Sequence, residues 1–312
     1  MPGPLYAAVD VGGSKILLLL AGEERRLVMR RLLPTPERAT PEAVIETIAG
    51  ALDGALRERG LSSRELAGLG VCIAALLNFE SGVLYEAPNL DWHEPIPFRE
   101  LLQRRFDCPV YLENDCNAAI LGEVTYGAAR GHRDAVYVTI STGIGAGLYL
   151  GGEIYRGSGG FAGEIGHVKR FGKGRRCGCG SYDCLEAWAS GKGIARSAGV
   201  LWDEDDPETG SLNTAAIFDR AGAGDPLAAA IIDQAVEDIG LALANLVTLL
   251  NPSCIVLGGG VTRHQAALAG RIKEKIERYA VAPAVKISPL EVVAAQLEPE
   301  AGVWGIYAMS CR

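Results

Sequence analysis

Short apolar runs, glycine turns and stretches of helical spacing follow one another along the chain. Leu5 to Val9 reads as a buried strand. It runs into Asp10-Val11-Gly12-Gly13-Ser14-Lys15 and then into the apolar strand Ile16 to Ala21, which predicts a hairpin closed by a glycine turn. The second half repeats the arrangement: a β-rich run, Ala135 to Ile140, the turn Ser141-Thr142-Gly143-Ile144-Gly145-Ala146-Gly147, and a return over Leu148 to Leu150. The match is architectural rather than a close sequence repeat. Pro41 to Arg59 has helical spacing, with Pro41 in the first turn and Gly60 just past the end. Gly68 to Leu77 and Val110 to Glu113 read as strands, the second followed by a helix from Cys116 to about Ala129. Leu227, Ile231, Ala235, Ile239 and Leu243 mark one face of a long helix that Asn251-Pro252 ends. The strand Cys254 to Leu257 then runs into Gly258-Gly259-Gly260. Alternation of this kind predicts α/β lobes with mixed sheets.

At 312 residues the chain exceeds the usual size of one compact core, so two domains with a cleft between them are expected. A composition 48% hydrophobic and 22% charged is that of a well-packed globular protein. The net charge of −8 and a pI near 5.2 favour neither nucleic acid nor an anionic membrane, which leaves a small molecule as the expected partner. Met1 to Asp10 lacks the basic and apolar regions of a secretory signal, so a cytoplasmic location is expected. The apolar stretches Ile16 to Gly22 and Ile239 to Leu250 fall short of the roughly 20 residues that span a bilayer. Acidic Asp203 to Glu208, interrupted by Pro207, reads as a solvated loop.

Glycine turns between strands let backbone N–H groups converge on a phosphate, and two of them suit a polyphosphate. Either turn alone is equally a plain hairpin. Asp10, with Ser14 and Lys15 beside it, can hold hydrated Mg²⁺ next to phosphates. P-loop spacing is absent, so the nucleotide architecture is a different one. Glu113-Asn114-Asp115 sits where a strand gives way to a helix; Asp115 there is either a helix N-cap or a general base for an attacking sugar hydroxyl, and Asn114 can bond another hydroxyl.

His167, Cys177, Cys179 and Cys184 suit tetrahedral structural Zn²⁺. The segment between Lys169 and Asp183 has too few apolar residues to order itself by burial, so metal would supply the order. Its basic residues Lys169, Arg170, Lys173, Arg175 and Arg176 have no interleaved aromatic platform and read as solvated. Glu164 and Glu186 flank this knuckle. Read alone they are surface carboxylates; on a metal-ordered loop they become acceptors for sugar hydroxyls, together with the free ring nitrogen of His167.

These motifs, with Ala87-Pro88-Asn89-Leu90-Asp91-Trp92 and in this order nearly end to end, resemble the ROK family of sugar kinases and repressors, its bacterial glucokinases most closely. The resemblance implies an actin-like ATPase or ribonuclease H-like fold of two lobes with an interdomain active-site cleft. The expected lobes are 1–112, rejoined by a C-terminal helix at 299–312, and 113–298, which carries the zinc knuckle 167–184. It implies ATP and Mg²⁺ held by Asp10, Gly12, Gly13, Ser14, Lys15, Thr142 and Gly143, with Gly258, Gly259 and Gly260 by the adenosine. Asn114, Glu164, His167 and Glu186 would contact the sugar, Asp115 would be the base, and His167 with the three cysteines would bind zinc. The implied reaction is phosphorylation of the glucose 6-hydroxyl, with fructose, mannose, N-acetylglucosamine or N-acetylmannosamine as alternative acceptors. A homodimer or homotetramer is implied as well. The family's repressors carry an N-terminal helix-turn-helix, for which ten residues before the first hairpin leave no room, so a sugar-sensing regulator is the lesser expectation. Two departures stand out. Asp183 replaces a glycine before the third cysteine and is expected to distort the knuckle, and Ala75 replaces a glycine close to the sugar.

Overall fold

The computed structural model describes residues 3–170, 174–201, 213–263, 265 and 267–311, so Lys173 and the acidic stretch 203–208 lie outside the described residues. The chain divides into two compact units. One comprises Met1–Arg130, Ile154–Ala162 and Pro299–Arg312, and the other Gly131–Glu153 and Gly163–Glu298.

The first unit opens with β1 (Leu5–Val11), β2 (Lys15–Gly22) and β3 (Leu27–Pro34), then α1 (Pro41–Arg57) and β4 (Leu66–Ile73). The small hairpin β5 (Leu76–Asn78) and β6 (Val83–Glu86) follows, then α2 (Phe98–Arg105), β7 (Val110–Asn114) and α3 (Asp115–Tyr126). Its sheet has the order β3-β2-β1-β4-β7, antiparallel at the β1–β2–β3 side and parallel from β1 through β4 to β7. Val9 and Val11 with Ile16, Leu18 and Leu20 pack in one core with Val44, Ile48 and Leu52 of α1. The alternate residues Ala8, Leu17 and Leu19 are also buried. A sheet covered on both faces explains why β1 and β2 read as near-continuous apolar runs. The predicted strand over 68–77 is broken instead at Ala74-Ala75, with β4 and β5 on either side.

The second unit contains β8 (Ala135–Ile140), β9 (Ile144–Leu150), β10 (Glu153–Ile154), α4 (Leu185–Ala189), α5 (Gly191–Leu201), α6 (Thr214–Gly222) and α7 (Pro226–Leu250). It closes with β11 (Cys254–Gly258), α8 (Gly260–Arg263), α9 (Leu268–Tyr279), α10 (Ala282–Lys286) and β12 (Glu291–Ala294). The order β10-β9-β8-β11-β12 repeats the plan of the first sheet: an antiparallel hairpin, β8–β9, then parallel pairing through β11. Helix α7 starts as its sequence requires. Asp225 Oδ1 accepts the N–H groups of Leu227 and Ala228 at 2.9 and 3.1 Å, Pro226 takes the first turn, and Asn251 ends the helix at φ 46°.

The last helix, α11 (Ala301–Ser310), belongs to the first unit and packs against α3. The two approach through glycines. A methyl on Gly305 would collide with the carbonyl oxygen of Ala118, and one on Gly122 with that of Ala301. This seam explains why the first unit runs to Arg130 and not to 112: α3 is held there by α11. Gly305→Ala is therefore expected to cost about 1–3 kcal/mol in denaturant unfolding. Gly50→Ala, in the exposed interior of α1 where a methyl meets nothing within 4 Å, is expected to stabilise by about 0.5–1 kcal/mol.

Candidate active site

In the first unit, Asp10 lies in β1 and the turn that follows is reduced to Gly12, Gly13 and Ser14, with Lys15 already in β2. Gly12 N–H donates to the Lys15 carbonyl at 3.0 Å and the Thr35 hydroxyl donates to the Gly12 carbonyl at 2.7 Å, so the turn is braced from β3's end. Gly13 faces Asn89 so closely that a methyl would strike the Asn89 carbonyl oxygen. That brings the Ala87–Trp92 turn to the hairpin.

At the far edge of the same sheet, level with the end of β1, β7 hands over to α3. Here the helix cap is Asn114 and not Asp115: Asn114 Oδ1 accepts the N–H groups of Cys116 at 2.8 Å and Asn117 at 3.2 Å. Asp115 is the first helical residue and accepts the Cys116 N–H at 2.9 Å. Burial raises the Asp115 carboxyl above its ordinary value, against hydrogen bonds from Cys116 and Asn114 that pull it down. Asn114 Nδ2 donates to the Ala75 carbonyl at 3.3 Å, and the Ala75 residue is itself buried.

The Asp10 carboxylate and the Asp115 backbone carbonyl both approach Gly302, near the start of α11. A methyl on Gly302 would lie 3.3 Å from Cys72 Sγ, 3.6 Å from Asp10 Oδ2 and 3.6 Å from the Asp115 carbonyl oxygen. Burial, followed by the Asp10, Asp115 and Glu113 charges, pushes the Cys72 thiol well up. Beneath them Glu113 is 1% exposed and fully engaged. Its Oε1 accepts the Asn114 N–H at 2.9 Å and Asn117 Nδ2 at 3.1 Å, and Arg156 approaches Oε2 at 2.8 Å through Nε and at 2.7 Å through Nη2. Arg156 also stacks 3.8 Å over the Phe79 ring. Sequence reasoning did not single out Cys72, Arg156 or Gly302, because the partners lie far apart along the chain and none carries a local signal.

In the second unit the turn between β8 and β9 is Ser141–Gly143, so Gly145 and Gly147 stand within β9. Thr142 and Gly143 are at its tip. Glu186, near the start of α4, is no ordinary surface carboxylate: its Oε2 accepts the Ile144 N–H at 3.0 Å, against Gly143. Gly258 ends β11 and Gly260 opens α8; between them the Gly259 N–H donates to Glu298 Oε1 at 3.1 Å, the same oxygen that takes the Tyr137 hydroxyl.

His167, Cys177, Cys179 and Cys184 present donor atoms all within 4.8 Å of one another. His167 Nδ1 is 3.8 Å from Cys177 Sγ, and Cys179 Sγ is 3.7 Å from Cys184 Sγ. A tetrahedral ion with metal–sulfur bonds of about 2.3 Å and metal–nitrogen bonds of about 2.0 Å has ligand edges of roughly 3.5–3.8 Å, so the donor set fits. His167 Nε2 points elsewhere, 3.8 Å from Glu164 Oε2.

The loop around these donors corrects two expectations. Asp183 does not distort the knuckle. It takes the left-handed conformation at φ 54°, and its carboxylate accepts the N–H groups of Gly174 and Arg175 at 3.1 and 2.9 Å and the Trp188 indole N–H at 3.2 Å. The basic residues are not all solvated. Arg170 pairs at 2.6 Å with buried Asp238 and lies 4.6 Å over Trp188, while Arg175 lies 3.8 Å over the same ring and donates to the Ala187 and Gly193 carbonyls. Lys169 Nζ donates to Cys184 Sγ at 3.0 Å and to the Ser181 hydroxyl at 2.7 Å. No described helix is long and apolar enough to cross a membrane.

Two sheets of the same plan each carry a glycine hairpin, with carboxylates beside the first, and together with the relatives that follow this identifies an ATP-dependent sugar kinase of the two-lobed actin-like ATPase fold. The chain belongs to the ROK family, whose profile matches residues 6–312. It is 33% identical over 312 residues to a glucokinase of Streptomyces coelicolor, covering 96% of each chain. It is 32% identical over 299 residues to an N-acetylmannosamine kinase of Escherichia fergusonii, covering 96% of this chain and 95% of the relative. Among solved structures it resembles a ROK family glucokinase from Streptomyces griseus in complex with glucose and AMPPNP, at TM-score 0.80 and 31% identity, over 98% of both chains.

Asp183→Gly would restore the residue expected from the resemblance and relieve about 1–2 kcal/mol of left-handed strain. It would also remove three hydrogen bonds to a carboxylate, each contributing about 1.5–3 kcal/mol. The variant is therefore expected to melt at a lower temperature than the parent in a thermal unfolding scan.

Proposed function

We propose that this sugar kinase transfers the γ-phosphoryl group of ATP to the 6-hydroxyl of glucose, with Asp115 as general base. The observation that carries the reading is the β7–α3 junction. Asn114 caps the helix, so Asp115 is left to act on a substrate, and burial raises its carboxyl toward the range in which a base accepts a proton efficiently. The 6-hydroxyl would give its proton to Asp115 as its oxygen attacks the γ-phosphorus and the bond to the ADP oxygen breaks. Asn114, Glu164, His167 and Glu186 would hold the remaining sugar hydroxyls. Gly12, Gly13, Ser14 and Lys15 in one turn and Thr142 and Gly143 in the other would hold the phosphates, with Gly258–Gly260 by the adenosine. Mg²⁺, beside Asp10, supplies charge neutralisation of the phosphates when bound. Glucose is favoured by the glucokinase relatives and N-acetylmannosamine is the second reading, because the identity to a kinase of that sugar is nearly as high.

We further propose that the ion of the His167, Cys177, Cys179 and Cys184 cluster is Zn²⁺, which suits one imidazole and three thiolates. Two more thiolate charges than Zn²⁺ neutralises would be costly; three leave one excess negative charge, and the Lys169 ammonium at Cys184 offsets it.

ADP release across glucose, mannose, fructose, N-acetylglucosamine and N-acetylmannosamine is expected to be fastest with glucose. Asp115→Asn should lower kcat by about 10²–10⁴-fold with all of them. Since only the ionised carboxylate accepts the proton and its pKa is raised, kcat/KM should fall with decreasing pH at a midpoint above about 3.9, the ordinary aspartate value. Turnover by Asp115→Asn equal to the parent would remove Asp115 as the base, whereas turnover with N-acetylmannosamine alone would change only the acceptor. Elemental analysis is expected to find one zinc per chain, and His167→Ala to reduce it.

A further inference from the structure

In the second unit β8, β11 and β12 run parallel, with β11 between the other two, so their carboxyl ends lie at one end of the sheet. Three segments leave the sheet there: the Ser141–Gly143 turn after β8, Gly258–Gly260 after β11, and the chain that follows β12 to Glu298. The carboxyl ends of parallel strands are where α/β sheets hold ligands. Glu298 is bound back across this end. Its Oε1 accepts the Gly259 N–H at 3.1 Å and also the hydroxyl of Tyr137 in β8. Gly258 makes room for that pair, because a methyl there would strike both the Tyr137 hydroxyl and Glu298 Oε1. Gly259, at φ 93°, is pressed on the backbone of Ile140, the residue before the Ser141–Gly143 turn. The glycine turn thus touches the strand that leads into the proposed phosphate turn and, through the Gly259 N–H, the Glu298 carboxylate. Glu298 is half-buried, and its Oε2 accepts no hydrogen bond from the described residues. An ionised carboxylate only accepts, so this second oxygen suits a ligand that brings hydroxyl donors.

We infer that Glu298 accepts a hydrogen bond from the ribose of the bound nucleotide and so selects ribonucleotides over deoxyribonucleotides as phosphoryl donors. A nucleotide with its phosphates at Ser141–Gly143 and its adenosine by Gly258–Gly260 brings its ribose, the part that joins the two, to the edge of the glycine turn. The 2′- and 3′-hydroxyls are the donors it carries there, and a carboxylate is the usual acceptor for them in other nucleotide-binding sheets. The adenine offers only its amino group, at the end of the nucleoside away from the phosphates. One oxygen of Glu298 keeps the turn in shape while the other takes the ribose. This inference rests on the proposed assignment of phosphate to the β8–β9 turn and of adenosine to Gly258–Gly260.

The test is the set of dissociation constants of ATP, 2′-deoxyATP and 3′-deoxyATP, measured with Mg²⁺ and no hexose, for the parent, Glu298→Ala and Glu298→Gln. The parent is expected to bind at least one of the deoxynucleotides about 10–150-fold more weakly than ATP, the ratio for one hydrogen bond to a charged group. Glu298→Ala is expected to bind all three with nearly equal affinity. Glu298→Gln keeps an oxygen for the Gly259 N–H and the Tyr137 hydroxyl but carries no charge, and its preference for ATP is expected to lie between the two. Loss of a side chain that only braces the glycine turn would weaken all three nucleotides by one factor and leave the preference intact, and that result would overturn the inference. So would a parent that binds both deoxynucleotides as tightly as ATP. If Glu298→Ala does not fold, Glu298→Gln decides: a preference equal to the parent's overturns the inference and a reduced one supports it. Turnover separates the two levels. If the parent phosphorylates a hexose with ATP and with both deoxynucleotides alike, only this inference falls. If it turns over none of the five hexoses, the proposed function falls and this inference with it.

Discussion

Glu113 is 1% exposed, and an ionised carboxylate that far from water is tolerated only where donors surround it. Arg156, Asn117 and the Asn114 N–H supply them. The bond to the Asn114 N–H ties Glu113 to the residue whose side chain caps α3. With Asn114 as the cap, Asp115 enters the first turn, its backbone carbonyl by Gly302. Removal of Arg156 would leave the buried Glu113 carboxylate without its ion-pair partner, at a cost of about 3–5 kcal/mol for an ion pair broken on one side. The local geometry of the candidate base thus rests on a side chain that never touches it.

The knuckle shows two kinds of order in one loop. A metal can gather its four donors, yet the chain around them is also held by Asp183, by Arg170 and Arg175 over Trp188, and by the Arg170–Asp238 pair. Arg170 and Asp238 are nearly buried, and burial raises the Asp238 carboxyl while Arg170 lowers it. A pair desolvated to that degree adds little net stability, but it penalises any arrangement that separates it. The loop is therefore specified by polar contacts where apolar ones are missing, and the metal is not its sole source of order.

Much of this was legible in the sequence, and the parts that were not share a cause. Apolar runs covered on both sheet faces announced β1, β2, β8 and β11, and capping residues announced α1 and α7. The strand β3 was missed because it lies at the sheet edge, where Arg30 and Arg31 sit among half-exposed Leu27, Leu32 and Leu33 and no continuous apolar run forms. The cysteine cluster was legible because its ligands lie close in sequence. Local rules offered Asp115 as either the α3 cap or a base, and the cap is Asn114, one residue earlier, because Asn and Asp have nearly equal capping preference. Arg156 was beyond sequence reasoning altogether: 43 positions separate it from Glu113. The Asp183 substitution was misread for a physical reason too, because the strain of φ 54° is visible from the residue type and the three hydrogen bonds that compensate it are not.

In phosphoryl transfer the bond to the leaving oxygen is largely broken before the nucleophile's proton has to leave, so a base of modest strength suffices and position counts for more than basicity. The first unit is built in keeping with that order of importance. The Asp115 carboxyl is raised by burial and tempered by hydrogen bonds from Cys116 and Asn114. Its position, by contrast, is constrained from three sides. Asn114 and Glu113 hold it from the strand, the backbone contact of Gly305 with Ala118 holds α3 against α11, and the Asp115 backbone carbonyl lies by Gly302. A side chain at Gly305 would collide with the Ala118 carbonyl oxygen and so shift α3, which carries Asp115, against α11. The C-terminal helix thus helps to set where α3, and with it the proposed base, stands.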